Sequence, residues 1–378
     1  MIGMTEAHLM TQSMARNLAE REVSAYAAHV DREAIFPEAG VRRLSELGLM
    51  GVFVPEMYGG SGLDHLAYVL AVEEIAVACA STAVIMSVNN SLVCAPLLLF
   101  GNENQKKKYL TPLARGEKLG CFCLSEPNAG SDAGSQQTVA EKKGAQYILS
   151  GTKNFITNGP QANTAIVFAQ VDKSKGKKGI SAFIVERAWK GVEVGKIEKK
   201  MGIKASGCSQ IIFNEVEVPA ENLLGKEGDG FKIALRTLDG GRIGIGAQAV
   251  GIARGAMEAA AVYAKERKQF DEPIANFQAI QWMIADMATQ IDAARLLVHR
   301  AASLEDKNIP FSKEAAMAKL FSSETAMKVT TDAVQIFGGY GYMKDYPVER
   351  FFRDAKITEI YEGTSEIQRL VIAAHVLK

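Results

Sequence analysis

The spacing of hydrophobic and polar positions changes twice along the chain. In residues 1–118, apolar side chains recur at helical spacing, as at Ala27, Val30 and Ala34, which predicts helices. Residues 119–227 contain short alternating runs separated by Lys- and Gly-rich turns, a pattern typical of antiparallel strands. Within residues 228–378, helical periodicity returns in long runs at 231–267, 277–304 and 312–337. The pattern predicts an α+β protein with an all-helical N-terminal domain, a middle antiparallel β domain and a helical C-terminal domain.

Four glycines interrupt the first of these long helical runs. Gly244, Gly246, Gly251 and Gly255 each cost roughly 1 kcal/mol of helix propensity relative to alanine. A helix that contains them needs a compensating interaction. Because glycine has no side chain, we expect other helices to pack unusually close to the backbone at these positions.

Composition excludes some classes of partner. Lys plus Arg and Asp plus Glu number 43 each among the 378 residues, so the formal net charge is zero. This balance argues against a general attraction to nucleic acid or to an anionic membrane. The hydrophobic content of 48% is ordinary for a globular protein, and the length allows about two or three domains.

The N-terminal segment and the most apolar stretch indicate neither secretion nor membrane insertion. Residues 1–8 lack a basic segment followed by an apolar one. The stretch 75–100 is interrupted by Asn89, Asn90 and Pro96, among others, which makes it too polar for a membrane span. The expected location is the cytoplasm, or the mitochondrial matrix if the protein is eukaryotic.

The cysteines and histidines predict no metal site. Cys121 and Cys123 are one residue too close for a CxxC redox or zinc pair, and the five histidines are dispersed. Side chains two residues apart on a strand point to the same face, so these two sulfurs are expected to fill space together. The GxGxxG, Walker A, HExxH and GxSxG motifs are also missing, so the corresponding nucleotide, metal and serine-hydrolase sites are unsupported.

The most informative segment is residues 361–368. Glu362 is followed by Gly363, which frees the backbone, and by the hydroxyl groups of Thr364 and Ser365. A carboxylate beside apolar residues is hard to ionise, so its pKa rises and it becomes a useful base near neutral pH. On local sequence alone, a solvated glutamate at a helix start is the commoner case.

Residues 361–369, Tyr-Glu-Gly-Thr-Ser-Glu-Ile-Gln-Arg, resemble the signature of the acyl-CoA dehydrogenases, flavoenzymes in which this glutamate removes a proton from the substrate. Further segments resemble the family in the same order, at 85–92, 122–132, 151–158, 267–270 and 335–339. The likeness runs along essentially the whole chain and is strongest to short-chain, butyryl-type members. It implies the family architecture, in which the C-terminal domain is a four-helix bundle.

The resemblance implies that Glu362 is the catalytic base and that FAD is bound without a Rossmann fold. Phe155 would cover one face of the flavin ring, Thr157 would bond near N5, and Arg267 would pair with the pyrophosphate from a neighbouring subunit. The implied FAD contacts are Phe122, Leu124, Ser125, Ser131, Phe155, Ile156, Thr157, Arg267, Phe270, Gln278, Gln335, Gly338, Gly339, Thr364 and Glu366.

The resemblance also implies an acyl-CoA site formed by Ser131, Asp239, Arg242 and Gly363. A buried Asp239–Arg242 pair with no substrate role is the alternative interpretation of two of these residues. Some relatives carry their catalytic acid immediately before the arginine, but Gly241 occupies that position here. Glu362 is therefore the single candidate base.

The implied reaction is FAD-dependent dehydrogenation of a short-chain acyl-CoA to the trans-2-enoyl-CoA. Electrons would pass to an electron-transfer flavoprotein, and the enzyme would be a homotetramer. Residues 78–100, implied to line the acyl pocket, contain no Arg, Lys, Asp or Glu, which disfavours dicarboxylic acyl groups. The alternatives are an acyl-CoA oxidase, a dehydrogenase for branched or cyclic acyl-CoA, and a catalytically silent acyl-CoA-binding protein.

Overall fold

The N-terminal part of the chain is helical, as predicted. The computed structural model describes residues 4–378, so the first three residues of the N-terminal segment considered above lie outside it. Short π-helical turns at 19–23, 88–94 and 106–110 join successive helices. The α-helices are α1 (Glu6–Leu18), α2 (Ser24–Glu33), α3 (Glu38–Glu46), α4 (His65–Ala78), α5 (Ala80–Ser87), α6 (Ala95–Phe100), α7 (Glu103–Gln105) and α8 (Thr111–Ala114).

The middle of the chain forms one sheet. Its strands are β1 (Gly120–Cys123), β2 (Val139–Lys143), β3 (Gln146–Thr157), β4 (Thr164–Gln170), β5 (Ile180–Glu186), β6 (Val192–Ile197), β7 (Cys208–Pro219) and β8 (Leu223–Leu224). Among the described residues they follow the order β6-β7-β3-β2-β4-β5-β8, with β1 beside β4.

Most strand pairs in this sheet are antiparallel, but two are parallel. Strand β1 runs parallel to β4, and Val139 at the start of β2 pairs in parallel with Gln170. Parallel pairing needs a crossover rather than a hairpin, and the β2–β3 segment provides it between β1 and β4. The Sγ atoms of Cys121 and Cys123 lie 3.8 Å apart on β1, confirming that they share a face.

The C-terminal part returns to long helices, which agree with the predicted runs to within two residues at each end. They are α9 (Gly230–Glu266), α10 (Gln278–Asp306), α11 (Ser312–Phe337), α12 (Val348–Thr358) and α13 (Ser365–Val376). A small hairpin of β9 (Lys268–Gln269) and β10 (Glu272–Pro273) connects α9 to α10. Helix α9 packs against α10, α11 and α12 of the C-terminal part and against α4 of the N-terminal part.

The glycines of α9 allow this close packing. A Cβ atom on Gly251 would lie 2.4 Å from the carbonyl oxygen of Glu73 on α4, and one on Gly255 would lie 2.6 Å from that of Val77. Both distances are below any normal contact. The expected close helix–helix approach is therefore confirmed, and it joins the N-terminal and C-terminal helices.

The apolar segment Ala80–Phe100 is long and apolar enough to cross a membrane by length and composition alone. In the structure, however, 78% of the most apolar 18-residue window of this segment is buried inside the protein, as in a core helix. Its composition alone is not too polar for a span, so burial rather than the polar interruptions distinguishes it from a membrane helix.

A buried ion-pair cluster also fastens α4 to its neighbours. Glu74 accepts hydrogen bonds from Arg16 (2.7 Å) and from Arg254 (3.1 Å), and Arg295 donates to Glu73 (3.0 Å). Burial alone would raise the pKa of Glu74, but the hydrogen bonds from Arg254 and Arg16 hold it below its ordinary value. Glu74 therefore keeps its negative charge at neutral pH.

Glu74→Gln is expected to lower the free energy of unfolding by about 3 kcal/mol, because it leaves the guanidinium group of Arg254 buried and less well paired. The loss stays at the lower end of the range for a broken buried pair because Glu73 still lies 3.1 Å from Arg254. Urea unfolding measures the change. Glu46→Gln, which breaks an exposed pair with Arg43, is the control and should cost less than about 1 kcal/mol. Equal losses in the two variants would contradict the prediction.

Candidate active site

Glu362 and Gly363 form a tight turn between α12 and α13, called the Glu362 turn below. Their φ angles are 55° and 95°, and the left-handed region costs a residue with a side chain roughly 1–2 kcal/mol. The next residue, Thr364, caps α13 by accepting a hydrogen bond from the N–H of Ile367 at 3.4 Å. Across the turn, the N–H of Ser365 donates to the carbonyl oxygen of Glu359 at 2.9 Å. The glutamate is thus held in a strained conformation.

The carboxyl group of Glu362 lies against α9. A Cβ atom on Gly241 would be 2.0 Å from Glu362 Oε2 and 2.8 Å from Leu92 Cδ2. Within the described chain, Oε2 is buried and has no hydrogen-bond partner. The carboxyl group therefore occupies the space that a side chain at position 241 would need, so the two positions cannot both carry an acid in this conformation.

The surroundings of Glu362 make it a base suited to neutral pH. Burial raises the pKa of Glu362 to about 7, although the charges of Lys319 and Arg242 oppose the shift. A carboxyl group with a pKa near the working pH can both accept and release a proton efficiently. This is the chemistry that the resemblance implied.

Asp239 and Arg242 pair beside this carboxyl group. Arg242 Nη1 donates to Asp239 Oδ1 at 2.7 Å, and Ser312 Oγ donates to the same oxygen at 3.0 Å. Burial lowers the pKa of Arg242 and raises that of Asp239. Among the described residues, Arg242 Nε is buried without a partner. The pair therefore retains one N–H donor for a ligand.

Sequence reasoning missed several side chains that support the Glu362 turn. Lys319 Nζ and Gln368 Nε2 both donate to the carbonyl oxygen of Gly363, at 2.7 and 2.8 Å. The hydroxyl of Tyr361 donates to Gln248 Oε1 on α9. Among the described buried residues of α11, Lys319 alone is charged, but that burial is visible only in the structure.

The β domain places the predicted flavin-ring residues on adjoining segments. The N–H of Asn154 on β3 donates to the carbonyl oxygen of Ser125 at 2.9 Å, which joins the two segments. Phe155 has a φ of 57° and is 63% exposed, an unusual position for an apolar ring. Thr157 and Ser125 are half-buried. An exposed aromatic ring beside hydroxyl groups can receive a flat, polar-edged ligand.

Five other residues predicted to contact FAD differ in how far their side chains are exposed. Phe122, Leu124 and Ile156 are buried, and Ile156 belongs to the core of the sheet. A ligand could reach Ile156 only through its backbone. Ser131 is exposed in the loop between β1 and β2, and Glu366 is exposed in the first turn of α13.

A second group of predicted residues surrounds an open cavity of about 1030 Å³ at the end of α9. Arg267, Gly338 and Gly339 line it, and the guanidinium group of Arg267 lies 5.5 Å from the centre of the Tyr340 ring. A Cβ atom on either glycine would meet nothing within 4 Å, so the backbone is open to a ligand. Phe270, Gln278 and Gln335 are exposed on the β9–β10 hairpin, at the start of α10 and near the end of α11.

This cavity suits the phosphate end of a dinucleotide, because it combines a guanidinium group with open glycine backbone. Its lining includes no residue of the β domain or of the Glu362 turn. The predicted cofactor residues thus form two separate groups. Within residues 4–378, no cluster of three or more His, Cys, Asp or Glu side chains could hold a metal ion.

Family models match three successive parts of the chain. The N-terminal domain of the acyl-CoA dehydrogenases matches residues 5–117, the middle domain 121–216 and the C-terminal domain 228–377. The short-chain specific acyl-CoA dehydrogenase of Clostridium acetobutylicum is 52% identical over 376 residues, covering 100% of this chain and 99% of that protein. This chain belongs to the acyl-CoA dehydrogenase family. It is accordingly an oxidoreductase of a flavoprotein family.

Solved structures agree in fold. Butyryl-CoA dehydrogenase from Megasphaera elsdenii has a TM-score of 0.98 and 48% identity, and each chain covers 100% of the other. A chain of a structure described as the electron transferring flavoprotein of Acidaminococcus fermentans has a TM-score of 0.99 and 53% identity, again with 100% coverage of both. The acryloyl-CoA reductase (NADH) of Anaerotignum propionicum is 51% identical over 380 residues, covering 100% of this chain and 96% of that protein.

Proposed function

We propose that this acyl-CoA dehydrogenase oxidises a short-chain saturated acyl-CoA to the trans-2-enoyl-CoA, with Glu362 removing the α-proton. One observation carries the proposal: Glu362 Oε2 is buried against Gly241, and within the described chain it has no hydrogen-bond partner. The short-chain specific and butyryl-CoA names of similar proteins support a straight, C4-like acyl group.

Several residues of this chain have distinct roles in the proposed proton removal. An α-proton of a thioester is weakly acidic, so donors must stabilise charge on the thioester oxygen, and the N–H of Glu362 is one candidate. Glu362 Oε2 takes the proton, since no competing hydrogen bond within the described residues holds it. Leu92 Cδ2 lies near the same point of α9, 2.8 Å from where a Cβ on Gly241 would be, so the site has an apolar neighbour. Dry surroundings favour the neutral, protonated product of this step.

The proposed cofactor is FAD, which when bound accepts the β-hydrogen as hydride. Ser125, Phe155 and Thr157 would hold its ring system, while Arg267 and Gly338 of a second copy would contact the pyrophosphate. The separation of these groups supports an oligomer, for which we propose the homotetramer that the family resemblance implies. The exposed apolar side chains of the C-terminal helices, including Trp282, Leu296 and Leu370, also support an oligomer.

The proposed electron acceptor is an electron-transfer flavoprotein, supported by the name of one closely similar structure. The acryloyl-CoA reductase relative favours a second candidate, the reverse reaction that saturates an enoyl-CoA. An oxidase would use the same base but would be reoxidised rapidly by air. A silent acyl-CoA-binding protein would bind no FAD.

An anaerobic screen of acyl-CoA thioesters tests the proposal. The purified flavoprotein is mixed with acyl-CoA thioesters whose straight acyl groups increase in length, with branched acyl-CoA thioesters and with glutaryl-CoA. Loss of the oxidised flavin spectrum is followed. We expect butyryl-CoA to bleach the spectrum fastest and glutaryl-CoA to have no effect. Bleaching only by branched or dicarboxylic substrates would refute the substrate class, and no bleaching by any substrate would refute the reaction.

The pH dependence of kcat/KM is expected to show an acid limb centred at about pH 7, because the pKa of Glu362 is raised to about 7 by burial. Below this pH the carboxyl group is protonated and cannot act as a base, so the rate should fall roughly tenfold per pH unit. Initial rates from pH 5 to 9 measure the limb. A limb centred near the ordinary glutamate pKa would show that the carboxyl group is solvated in the working enzyme.

A further inference from the structure

Lys319 is an unexpected residue at its position on α11. Its neighbours on the buried face are small, including Ala315, Ala316, Ser322 and Ser323, and its own side chain is fully buried. Burying an ammonium group is costly unless a nearby group compensates it. Its observed hydrogen bond goes to the carbonyl oxygen of Gly363, at 2.7 Å.

That carbonyl oxygen does not need an ammonium donor. Gln368 Nε2 already donates to it at 2.8 Å and also reaches the carbonyl oxygen of Glu362 at 3.3 Å. A neutral side chain therefore satisfies the backbone of the turn. The charge of Lys319 requires a separate explanation. Its ammonium group lies 2.7 Å from the carbonyl oxygen of the residue directly after Glu362, and the carboxyl group of Glu362 favours its charged form.

We propose that Lys319 is a positioning residue for Glu362: it holds the strained turn from α11 and supplies the positive charge that lets the buried carboxyl group ionise. The proposal rests on the proposed role of Glu362 as the base. Without a cation nearby, a carboxylate in this apolar setting would stay protonated and could not accept the α-proton.

The other charged and titratable groups do not replace Lys319. Arg242 on α9 also favours the ionised form of Glu362. However, Arg242 already forms an ion pair with Asp239, at 2.7 Å. The remaining groups whose charges reach Glu362 or Lys319 are Tyr68 on α4, Tyr361 in the approach to the turn, Glu359 after α12 and Glu366 on α13. None of these can add positive charge. Burial also lowers the pKa of Lys319 to about 8, so the ammonium form persists at pH 7.

Infrared difference titration of the FAD-loaded enzyme without substrate tests the proposal and needs no turnover. The C=O stretch of the protonated Glu362 carboxyl group is assigned by its loss in Glu362→Gln. Lys319→Met keeps the length of the side chain and removes the charge, and the titration midpoint should move up by about one pH unit or more. Lys319→Arg keeps the charge and should stay near the wild-type midpoint.

Gln368→Leu is the matched control, because it removes the neutral donor to the same carbonyl oxygen. Its midpoint should also stay near that of the wild type. An unchanged midpoint in Lys319→Met would overturn the proposal, as would equal shifts in Lys319→Met and Gln368→Leu. Failure of every acyl-CoA to reduce the enzyme would refute the proposed reaction instead, and the infrared midpoints would still report on Lys319.

Discussion

Glu362→Gln is expected to lower turnover at least ~100-fold while leaving FAD and acyl-CoA binding intact. The lower bound is the usual contribution of a positioned general base. Glutamine has nearly the same shape as glutamate but cannot accept the α-proton. Steady-state rates measure the loss, and flavin absorbance together with titration by a substrate analogue measures binding.

Glu359→Gln is the control for this variant. Glu359 lies three residues earlier and pairs with Lys356 at 2.6 Å, so it shares the local backbone but not the site against α9. We expect most activity to remain. If Glu362→Gln kept most of its turnover, or if both variants lost activity equally, the proton-removing group would lie elsewhere.

Gly241→Ala is expected to lower kcat/KM by about 100-fold or more, although alanine is the better helix former. The added methyl group would lie 2.0 Å from Glu362 Oε2, so the carboxyl group must shift by more than 1 Å. A misplacement of this size can cost about 100-fold in rate. Rapid-mixing measurements of flavin reduction would locate the loss in the chemical step.

The neighbouring Gly240→Ala variant provides a matched comparison. Its Cβ would lie 3.5 Å from the nearest atom, Glu305 Oε1, an ordinary contact. Both variants gain about 1 kcal/mol of helix propensity, so a difference between them reports on Glu362. Full activity in Gly241→Ala would mean that the carboxyl group leaves α9 during catalysis.

The sequence predicted the long helices well, because their periodicity is local. Runs at 231–267 and 312–337 became α9 and α11 with almost the same ends. The glycines of α9 also indicated close packing, which follows from the missing side chain. The parallel pairing of β1 with β4 could not be predicted from the alternation of apolar and polar residues. Alternation shows which face of the sheet a side chain occupies, but it does not show which strand lies next to which. The domain bounds 1–118, 119–227 and 228–378 stay predictions.

The candidate site was predicted less completely. Local sequence fits an exposed glutamate at position 362, and only the family resemblance identified it as a base. Burial among distant segments raises its pKa, with Gly241 of α9 against the carboxyl group, whereas the charge of Lys319 on α11 opposes the rise. The contact of Lys319 with the Glu362 turn could not be predicted, because nothing in residues 312–337 shows which segment its ammonium group will contact. Ile156, predicted to contact FAD, has its side chain in the same core of the sheet as Tyr147 and Leu149. Strict alternation from Leu149 would place it on the opposite face, but β3 has register shifts before Ile156. The roles assigned to the FAD and acyl-CoA residues stay predictions.

The role of Glu362 as the base is tested by anaerobic rapid mixing of Glu362→Gln with the acyl-CoA that reduces the wild-type enzyme fastest. We expect the variant to bind the thioester and to keep its oxidised flavin spectrum on the timescale in which the wild type is bleached. Bleaching of the variant at the wild-type rate would contradict it.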